Sequence, residues 1–212
     1  MDVTRLIVVR HGETAWNVDT RIQGQLDIPL NAKGEWQADR LGQALGGEPL
    51  AAVYASDLAR AWQTAQAIAQ PHGIGVVADP ALRERGFGTF EGLSFAQIVA
   101  DLPDQARLWR TRDPEFAPAG GESLRVFLDR IRHAAATIAA RHPGELVALI
   151  AHGGVMDVLY RLATHQELQA PRTWHLGNAA INRLLWTPEG FSLVGWGDTH
   201  HLQDGPQDEF TA

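Results

Sequence analysis

The chain contains no cysteine among its 212 residues. Disulfide bonds, thiolate metal sites and cysteine nucleophiles are therefore excluded, although this says little about the compartment. Basic residues are also in the minority, since 18 Lys and Arg stand against 25 Asp and Glu, for a formal net charge of −7. We therefore expect no nonspecific binding of nucleic acid, and an anionic ligand would require a local cluster of cations.

Long apolar runs are absent as well. No run approaches the ~18 residues that a membrane-spanning helix requires, so we expect no membrane insertion. Residues 1–9 hold one basic residue and only a short apolar run, which predicts no signal peptide and a cytoplasmic location. The composition, 45% apolar and 20% charged, is otherwise that of a globular protein. The length predicts one domain over residues 1–202, followed by a loose polar tail at 203–212.

Apolar patterns predict strands that alternate with helices, which is typical of a layered α/β fold. The runs Leu6–Val9 and Leu146–Ala151 are continuously apolar, as expected of strands buried on both faces. Asn31 and Ser56 precede amphipathic segments and are the expected N-caps of two helices. Strands are predicted at about 5–10, 51–55, within 73–79, at 146–151, 181–187 and 191–196, the last two as a hairpin; further helices are predicted near 94–101, at about 122–141 and after Gly153-Gly154.

Reactive polar residues follow four of these strands. Arg10 and His11 come after the first strand, Arg60 lies one turn into the helix after the second, Glu84 follows the third, and His152 follows the later buried strand. The carboxyl ends of parallel strands lie at one edge of a sheet, so we expect these side chains to converge there.

Each of these groups, two imidazoles, two guanidiniums and one carboxyl group, can take a role in phosphoryl transfer. His11 would be the nucleophile and form a phosphohistidine. Arg10, Arg60 and His152 would neutralise the nonbridging oxygens of the phosphoryl group. Glu84 would protonate the leaving alkoxide and then activate water, a role that needs a protonated carboxyl group near neutral pH. No metal ion or other cofactor is expected, because the arginines take the place that Mg²⁺ occupies elsewhere.

The sequence resembles the histidine phosphatase superfamily, also called the phosphoglycerate mutase-like proteins. The resemblance starts at Leu6–Thr14, around Arg-His-Gly-Glu, and covers nearly the whole chain. The other matching segments are Asn17, Arg21–Gly24, Asp27–Leu30, Ser56–Arg60, Leu82–Glu84, Phe87–Gly92, Gly120–Ser123, Ala151–Gly154, Asn178 and Asp198–Leu202. Several motifs in order are far more specific than any one of them alone.

This resemblance implies both a fold and a pocket. The implied fold is a three-layer α/β/α sandwich around a mixed, mainly parallel sheet. The implied phosphate pocket holds Arg10, His11, Asn17, Arg60, Glu84 and His152, and a pocket loop carries Gln23 and Gly24.

Two activities share such a pocket, and the sequence favours hydrolysis. The family's cofactor-dependent mutases are longer and resemble one another in a tyrosine where this chain has Phe87, whereas the loop Arg21–Gly24 looks more like the phosphatase branch. Arg85, in contrast, resembles a mutase residue that contacts the substrate carboxylate, and we expect it to bind substrate. We predict a metal-independent phosphatase of small phosphomonoesters, with a cofactor-dependent phosphoglycerate mutase as the alternative. A noncatalytic binder of phosphorylated ligands is disfavoured, because His11 and Glu84 are both present.

The substrate and the assembly stay open. The expected partner is a small phosphorylated metabolite, and the chain is expected to be a monomer or a homodimer. A substrate with a second anionic group would suit the arginines near the site, whereas an apolar or aromatic leaving group would suit Trp109 or Phe87. The arginines in question are Arg21, Arg83, Arg85, Arg110 and Arg112.

Three further features allow more than one interpretation. Trp109–Arg112 forms either a solvated face or part of a substrate lid within residues 103–120. Glu122 either caps the long helix from its first turn or holds a pocket residue in place. His200 and His201 could suggest a metal site, but adjacent residues of a strand point to opposite sides, so we expect structural roles.

Overall fold

The structure is a computed structural model that describes residues 2–203. All but Gln203 of the predicted polar tail lies outside these residues. Within them, six strands form one sheet: β1 (Thr4–Arg10), β2 (Leu50–Ala55), β3 (Val76–Ala78), β4 (Leu146–Ala151), β5 (Ile181–Thr187) and β6 (Gly190–Asp198). Their order is β3-β2-β4-β1-β5-β6. The strands β3, β2, β4 and β1 pair in parallel, whereas β5 is antiparallel to both β1 and β6. The predicted mixed, mainly parallel sheet is therefore confirmed.

Helices cover both faces of the sheet. They are α1 (Ala15–Val18), α2 (Ala32–Leu45), α3 (Ala59–Ala69), α4 (Phe95–Asp101), α5 (Pro103–Arg110), α6 (Leu124–Ala139) and α7 (Gly153–Thr164). Alternate residues of β1 enter two different cores: Leu6 and Val8 pack with α6 and α7, whereas Ile7 and Val9 pack with α2 and α3. All four side chains are fully buried, which confirms the three-layer arrangement and explains the unbroken apolar run.

The two predicted N-caps have different outcomes. The Asn31 side chain accepts the Gly34 N–H at 2.8 Å and caps α2 as predicted. The prediction for Ser56 is wrong, because α3 begins only at Ala59 and has Leu58 as an N-cap without a side-chain bond. The Ser56 hydroxyl instead contacts a buried imidazole 2.8 Å away and accepts the Leu58 N–H at 3.3 Å, just before the helix begins.

The segment between β3 and α6 contains more helix than the sequence suggests. Helix α4 lies where it is predicted, but α5 is not predicted, because it buries only Ala106 fully and so has a weak apolar pattern. Both helices pack around a third, smaller core that includes Phe90 and Ile98. Trp109 at the end of α5 packs in this core, with the rings of Phe87, Phe90 and Phe95 between 5.4 and 5.9 Å away.

The chain end after β6 also differs from expectation. His200 and His201 lie in a 3₁₀ turn (His200–Leu202) rather than on a strand. His200 Nδ1 lies 2.9 Å from Asp198, and His201 Nε2 donates to the Ala179 carbonyl at 3.0 Å, so both have the structural contacts that were expected. Over residues 2–203, no helix is long and apolar enough to cross a membrane.

Candidate active site

The carboxyl edge of the parallel strands surrounds a cavity of about 170 Å³. Seven of the nine predicted site residues line it: Arg10, His11, Asn17, Gln23, Gly24, Arg60 and Glu84. His152 lies beside it, with its ring centre 5.3 Å from that of His11. Arg85 lines a neighbouring cavity instead. The convergence expected from strand order is therefore present in the structure.

One ring nitrogen of His11 is engaged in a hydrogen bond. Its Nδ1 lies 2.6 Å from the Gly12 carbonyl oxygen, and because a carbonyl only accepts, Nδ1 must carry the hydrogen. Burial, followed by the charges of Arg10 and Arg60, holds the pKa of His11 well below its usual value of 6.5. The imidazole is therefore neutral near pH 7, and its Nε2 carries the free electron pair.

His152 is fully buried behind the site. Its Nε2 lies 2.8 Å from Ser56 Oγ, and its Nδ1 is buried without a hydrogen-bond partner among the described residues. Burial, followed by the charge of Arg60, holds the pKa of His152 well below 6.5. If the serine hydroxyl donates to Nε2, the hydrogen lies on Nδ1, which is then the donor available to a ligand.

Two guanidiniums supply the positive charge. Arg60 is only 1% exposed and donates to the carbonyls of Leu26 and Gly24, both at 2.8 Å. Arg10 donates to the Leu176 carbonyl at 2.5 Å. Burial lowers the pKa of Arg60 to about 10 and also lowers that of Arg10, so both stay charged near neutrality. The Nε atoms of both are buried without partners in the described chain.

Glu84 is oriented by backbone groups at both carboxylate oxygens. Its Oε1 accepts the Arg85 N–H at 2.8 Å, and its Oε2 accepts the Gly154 N–H at 2.9 Å. Gly154 lies at the start of α7, where N–H groups have no partner inside the helix. The neighbouring Arg83 is engaged elsewhere, because its guanidinium donates to both oxygens of Asp57 at 2.7 and 2.6 Å.

The pocket loop combines a capping residue with a left-handed glycine. Asn17 Oδ1 accepts from the Thr14 N–H at 3.1 Å and from Asn178 Nδ2 at 3.3 Å, which leaves its amide group to face a ligand. Gln23 is buried with an unpartnered Oε1. Gly24 has φ +52°, and an added Cβ would lie 2.1 Å from Glu91 Oε1, so only glycine fits this position.

Arg85 lines a second cavity of about 200 Å³, which shares Glu84 and Phe87 with the first. Arg85 is 3% exposed, and its guanidinium donates to the carbonyls of Glu122 and Phe116 at 2.8 and 2.9 Å. Burial lowers its pKa to about 10. The second cavity also contains Arg112, whereas Arg83 and Arg110 line neither cavity.

Comparison with known proteins decides the family. The model of the histidine phosphatase superfamily (branch 1) matches residues 6–199. This chain belongs to the histidine phosphatase superfamily. Phosphoglycerate mutase-like protein 4 of Arabidopsis thaliana is 36% identical over 208 residues, which is 96% of this chain and 89% of that protein.

Two further proteins are about as similar to this chain and are matched over most of their length. The metal-independent phosphoserine phosphatase of Arabidopsis thaliana is 37% identical, with 95% of this chain and 84% of that protein covered. A solved structure of the mycobacterial glucosyl-3-phosphoglycerate phosphatase with VO3 is 35% identical, with a TM-score of 0.82 over 92% of this chain and 99% of that one. The family predicted from the motifs is therefore confirmed.

Three residues support the site from behind, and only one of them, Glu122, was predicted to do so, as one of two interpretations. Arg130 of α6 donates to the Glu84 carbonyl at 3.2 Å and to Glu122 Oε2 at 2.6 Å, and Glu122 in turn accepts the Gly86 N–H at 2.7 Å. Glu122 therefore holds the Glu84 segment and precedes the helix rather than lying in its first turn. Asn178 Nδ2 donates to the His11 carbonyl at 2.9 Å. Only the resemblance marked Asn178, and nothing local distinguishes Arg130 from other helical arginines.

Metal ligation finds little support in the donor set. In the part of the chain that the structure describes, no group of three or more His, Asp or Glu side chains is arranged to hold a metal ion. The positive charge of the site is instead carried by guanidiniums, which match phosphate oxygens in geometry.

Proposed function

We propose that this protein is a metal-independent phosphatase that hydrolyses small phosphomonoesters through a phosphohistidine on His11. The observation that carries the proposal is the tautomer of His11, whose Nδ1 is bound to the Gly12 carbonyl. A neutral Nε2 with a free electron pair thus lies in a cavity lined by the buried Arg60 and the half-buried Arg10. This is a nucleophile placed beside the cations that a phosphoryl group requires.

In the first step, His11 Nε2 attacks phosphorus, and the bond between phosphorus and the ester oxygen breaks. Arg10, Arg60 and the Nδ1–H of His152 stabilise the nonbridging oxygens as their charge redistributes. The leaving alkoxide takes a proton from the Glu84 carboxyl group and departs as an alcohol. Asn17 and Gln23 contribute amide donors at the mouth of the cavity.

In the second step, the Glu84 carboxylate takes a proton from water, and the hydroxide attacks phosphorus. The N–P bond to His11 breaks, inorganic phosphate is released, and both His11 and the protonated Glu84 are restored. Every proton is therefore accounted for without a metal ion. The two backbone N–H bonds to Glu84 keep its carboxyl group in place through both steps.

The relatives favour hydrolysis over isomerisation. Two of the three reported above are named phosphatases, one of them metal-independent. The single domain over 1–202, the cytoplasmic location and the monomeric or homodimeric assembly stay predictions.

The first experiment is phosphate release in EDTA against a panel of phosphomonoesters, beside a mutase assay on 3-phosphoglycerate with 2,3-bisphosphoglycerate. We expect phosphate release that survives EDTA, and no isomerisation. His11→Ala should lower kcat by at least about three orders of magnitude, since loss of a nucleophile costs that much or more. His133→Ala, an exposed change on α6, is the control. Near-normal turnover by His11→Ala, or isomerisation with little phosphate release, would overturn the proposal.

A further inference from the structure

Three polar residues directly follow adjacent strands at the carboxyl edge of the sheet. The strand order β2-β4-β1 places Ser56, His152 and His11 side by side along this edge. Backbone bonds fix the row, because the Ser56 N–H donates to the Ile150 carbonyl and the His11 N–H to the Ala151 carbonyl, both at 3.0 Å. The topology therefore brings a hydroxyl group to one side of His152 and the proposed nucleophile to the other.

The partners of the Ser56 hydroxyl decide where its hydrogen points. Ser56 is fully buried. Among residues 2–203 its hydroxyl has two partners, the Leu58 N–H at 3.3 Å and His152 Nε2 at 2.8 Å. A backbone N–H can only donate, so the one acceptor left for the hydroxyl hydrogen is Nε2. Ser56 thus accepts one hydrogen bond from the backbone and donates another to the imidazole.

The opposite assignment leaves two buried groups unsatisfied. Burial keeps the pKa of His152 well below 6.5, so the neutral ring carries one hydrogen. If that hydrogen lay on Nε2, the Ser56 hydrogen would lack an acceptor. The buried Nδ1, which has no partner in the described chain, would then be an acceptor without a donor. Unpaired buried polar groups are costly, so the assignment with the hydrogen on Nδ1 is favoured.

We propose that Ser56 is a positioning residue that fixes the tautomer of His152. Its hydroxyl donates to Nε2, keeps the ring hydrogen on Nδ1 and so holds a donor ready for a phosphoryl oxygen. The inference rests on the proposed phosphatase function, in which this N–H stabilises the nonbridging oxygens. Without the hydroxyl, the hydrogen is free to move to Nε2, and the electron pair then left on Nδ1 would repel a phosphoryl oxygen.

Nitrogen NMR of ¹⁵N-labelled histidine side chains measures the tautomer directly. We expect the His152 signals, identified by their loss in His152→Ala, to be those of an Nδ1–H imidazole near pH 7. Ser56→Ala should move them toward the Nε2–H form, and Ser56→Thr, which keeps the hydroxyl, should restore the wild-type pattern. Thr4→Val removes a buried hydroxyl at the far end of β1 and is the control.

Vanadate, an analogue of phosphate, tests whether the donor reaches a ligand. We expect added vanadate to shift the His152 Nδ1 signal of the wild type, because an anionic oxygen accepts its hydrogen. The shift should be smaller in Ser56→Ala, in which the hydrogen no longer lies only on Nδ1.

Kinetics separates positioning from a general loss of structure. Ser56→Ala should lower kcat/KM for p-nitrophenyl phosphate about tenfold or more, since loss of one preorganised donor costs on that scale or more. In the His152→Ala background, the same change should alter kcat/KM by less than about twofold, because the imidazole on which Ser56 acts is gone. A merely structural role would give the same fold loss in both backgrounds.

The outcomes separate this inference from the proposed function. If the wild type releases phosphate from no ester, the phosphatase function fails, and NMR still decides the role of Ser56 in the tautomer. If phosphate is released, three results would each overturn the inference while the function stands. They are an Nε2–H imidazole at His152 in the wild type, an unchanged tautomer in Ser56→Ala, and equal slowing by Ser56→Ala in both backgrounds. An Nδ1 signal unmoved by vanadate would show that this donor does not reach the ligand.

Discussion

At the scale of single residues, the site depends on imidazoles that stay neutral beside fixed positive charge. His11 and His152 are both buried, and Arg60 lowers the pKa of each after burial itself. A protonated His11 would have no electron pair with which to attack phosphorus. The same guanidiniums that we propose to bind a phosphate therefore also keep the proposed nucleophile, His11, neutral.

This arrangement predicts how stability depends on pH. Below about pH 6.5 each unfolded histidine takes up a proton, whereas folded His11 and His152 do not until the pH is much lower. The unfolded state then binds more protons, so the free energy of unfolding should fall with decreasing pH below 6.5, by up to about 1.4 kcal/mol per pH unit for each residue. Above pH 6.5 both states hold the two histidines neutral, so the stability that is lost at lower pH is fully present.

Urea unfolding between pH 5 and 8 measures this dependence. The double variant His11→Gln/His152→Gln should show a smaller slope below pH 6.5 than the wild type, and His133→Gln provides the control for loss of an exposed histidine. Parallel curves for the wild type and the double variant would show that the two imidazoles are not held neutral.

At the scale of elements, the short connections between strands and helices position the reactive groups. Gly12 follows β1, and an added Cβ there would meet the Gly34 carbonyl oxygen at 2.5 Å. Gly154, in the first turn of α7, donates its N–H to Glu84, and its added Cβ would lie 2.2 Å from Glu84 Oε1. The neighbouring Gly153 differs, since its Cβ would meet Arg10 Nε at an ordinary 3.5 Å.

These contacts predict unequal effects of two adjacent substitutions. Gly154→Ala should displace the Glu84 carboxyl group and slow turnover by about 10²-fold or more for esters of poor leaving groups. p-Nitrophenyl phosphate should be affected least, because p-nitrophenolate departs without needing a proton. Gly153→Ala should keep the leaving-group dependence of the wild type. Glu84→Gln provides the reference profile, and equal slowing of all esters by Gly154→Ala would argue against Glu84 as the acid.

At the scale of the whole molecule, the site collects segments that are far apart in the chain. Its walls come from residues near positions 10, 23, 60, 84 and 153, and Asn178 supports it from the start of the β5 region. A ligand bound there would lie beside segments that follow β1, β2 and β4. Ligand binding should therefore stabilise the fold as one unit.

Vanadate is a suitable probe, because a solved relative contains VO3. At about 100 times its Kd, a ligand stabilises by about 2.7 kcal/mol, which corresponds to a rise in Tm of roughly 5–10 °C for a chain of this size. Thermal unfolding with and without vanadate measures the shift. Arg60→Gln should lose most of it, and Arg5→Gln should keep it. A full shift in Arg60→Gln would place the ligand elsewhere.

The sequence by itself determined the architecture and which reactive residues meet at one edge of the sheet. Unbroken apolar runs such as Leu146–Ala151 mark strands buried on both faces, because both layers of helices demand apolar contacts. Reactive residues directly after such strands must lie at one sheet edge, so the backbone topology alone brings His11 and His152 together. The order of the motifs along the chain was enough to predict the family.

Only the tertiary structure decided which partners each side chain has. Ser56 precedes a helix and looks like a cap, yet its hydroxyl contacts His152, 96 residues away. Arg85 and Arg112 look like free anion binders, but long-range contacts with backbone carbonyls and with Asp157 engage them. Such pairings depend on distances between segments that no local pattern encodes.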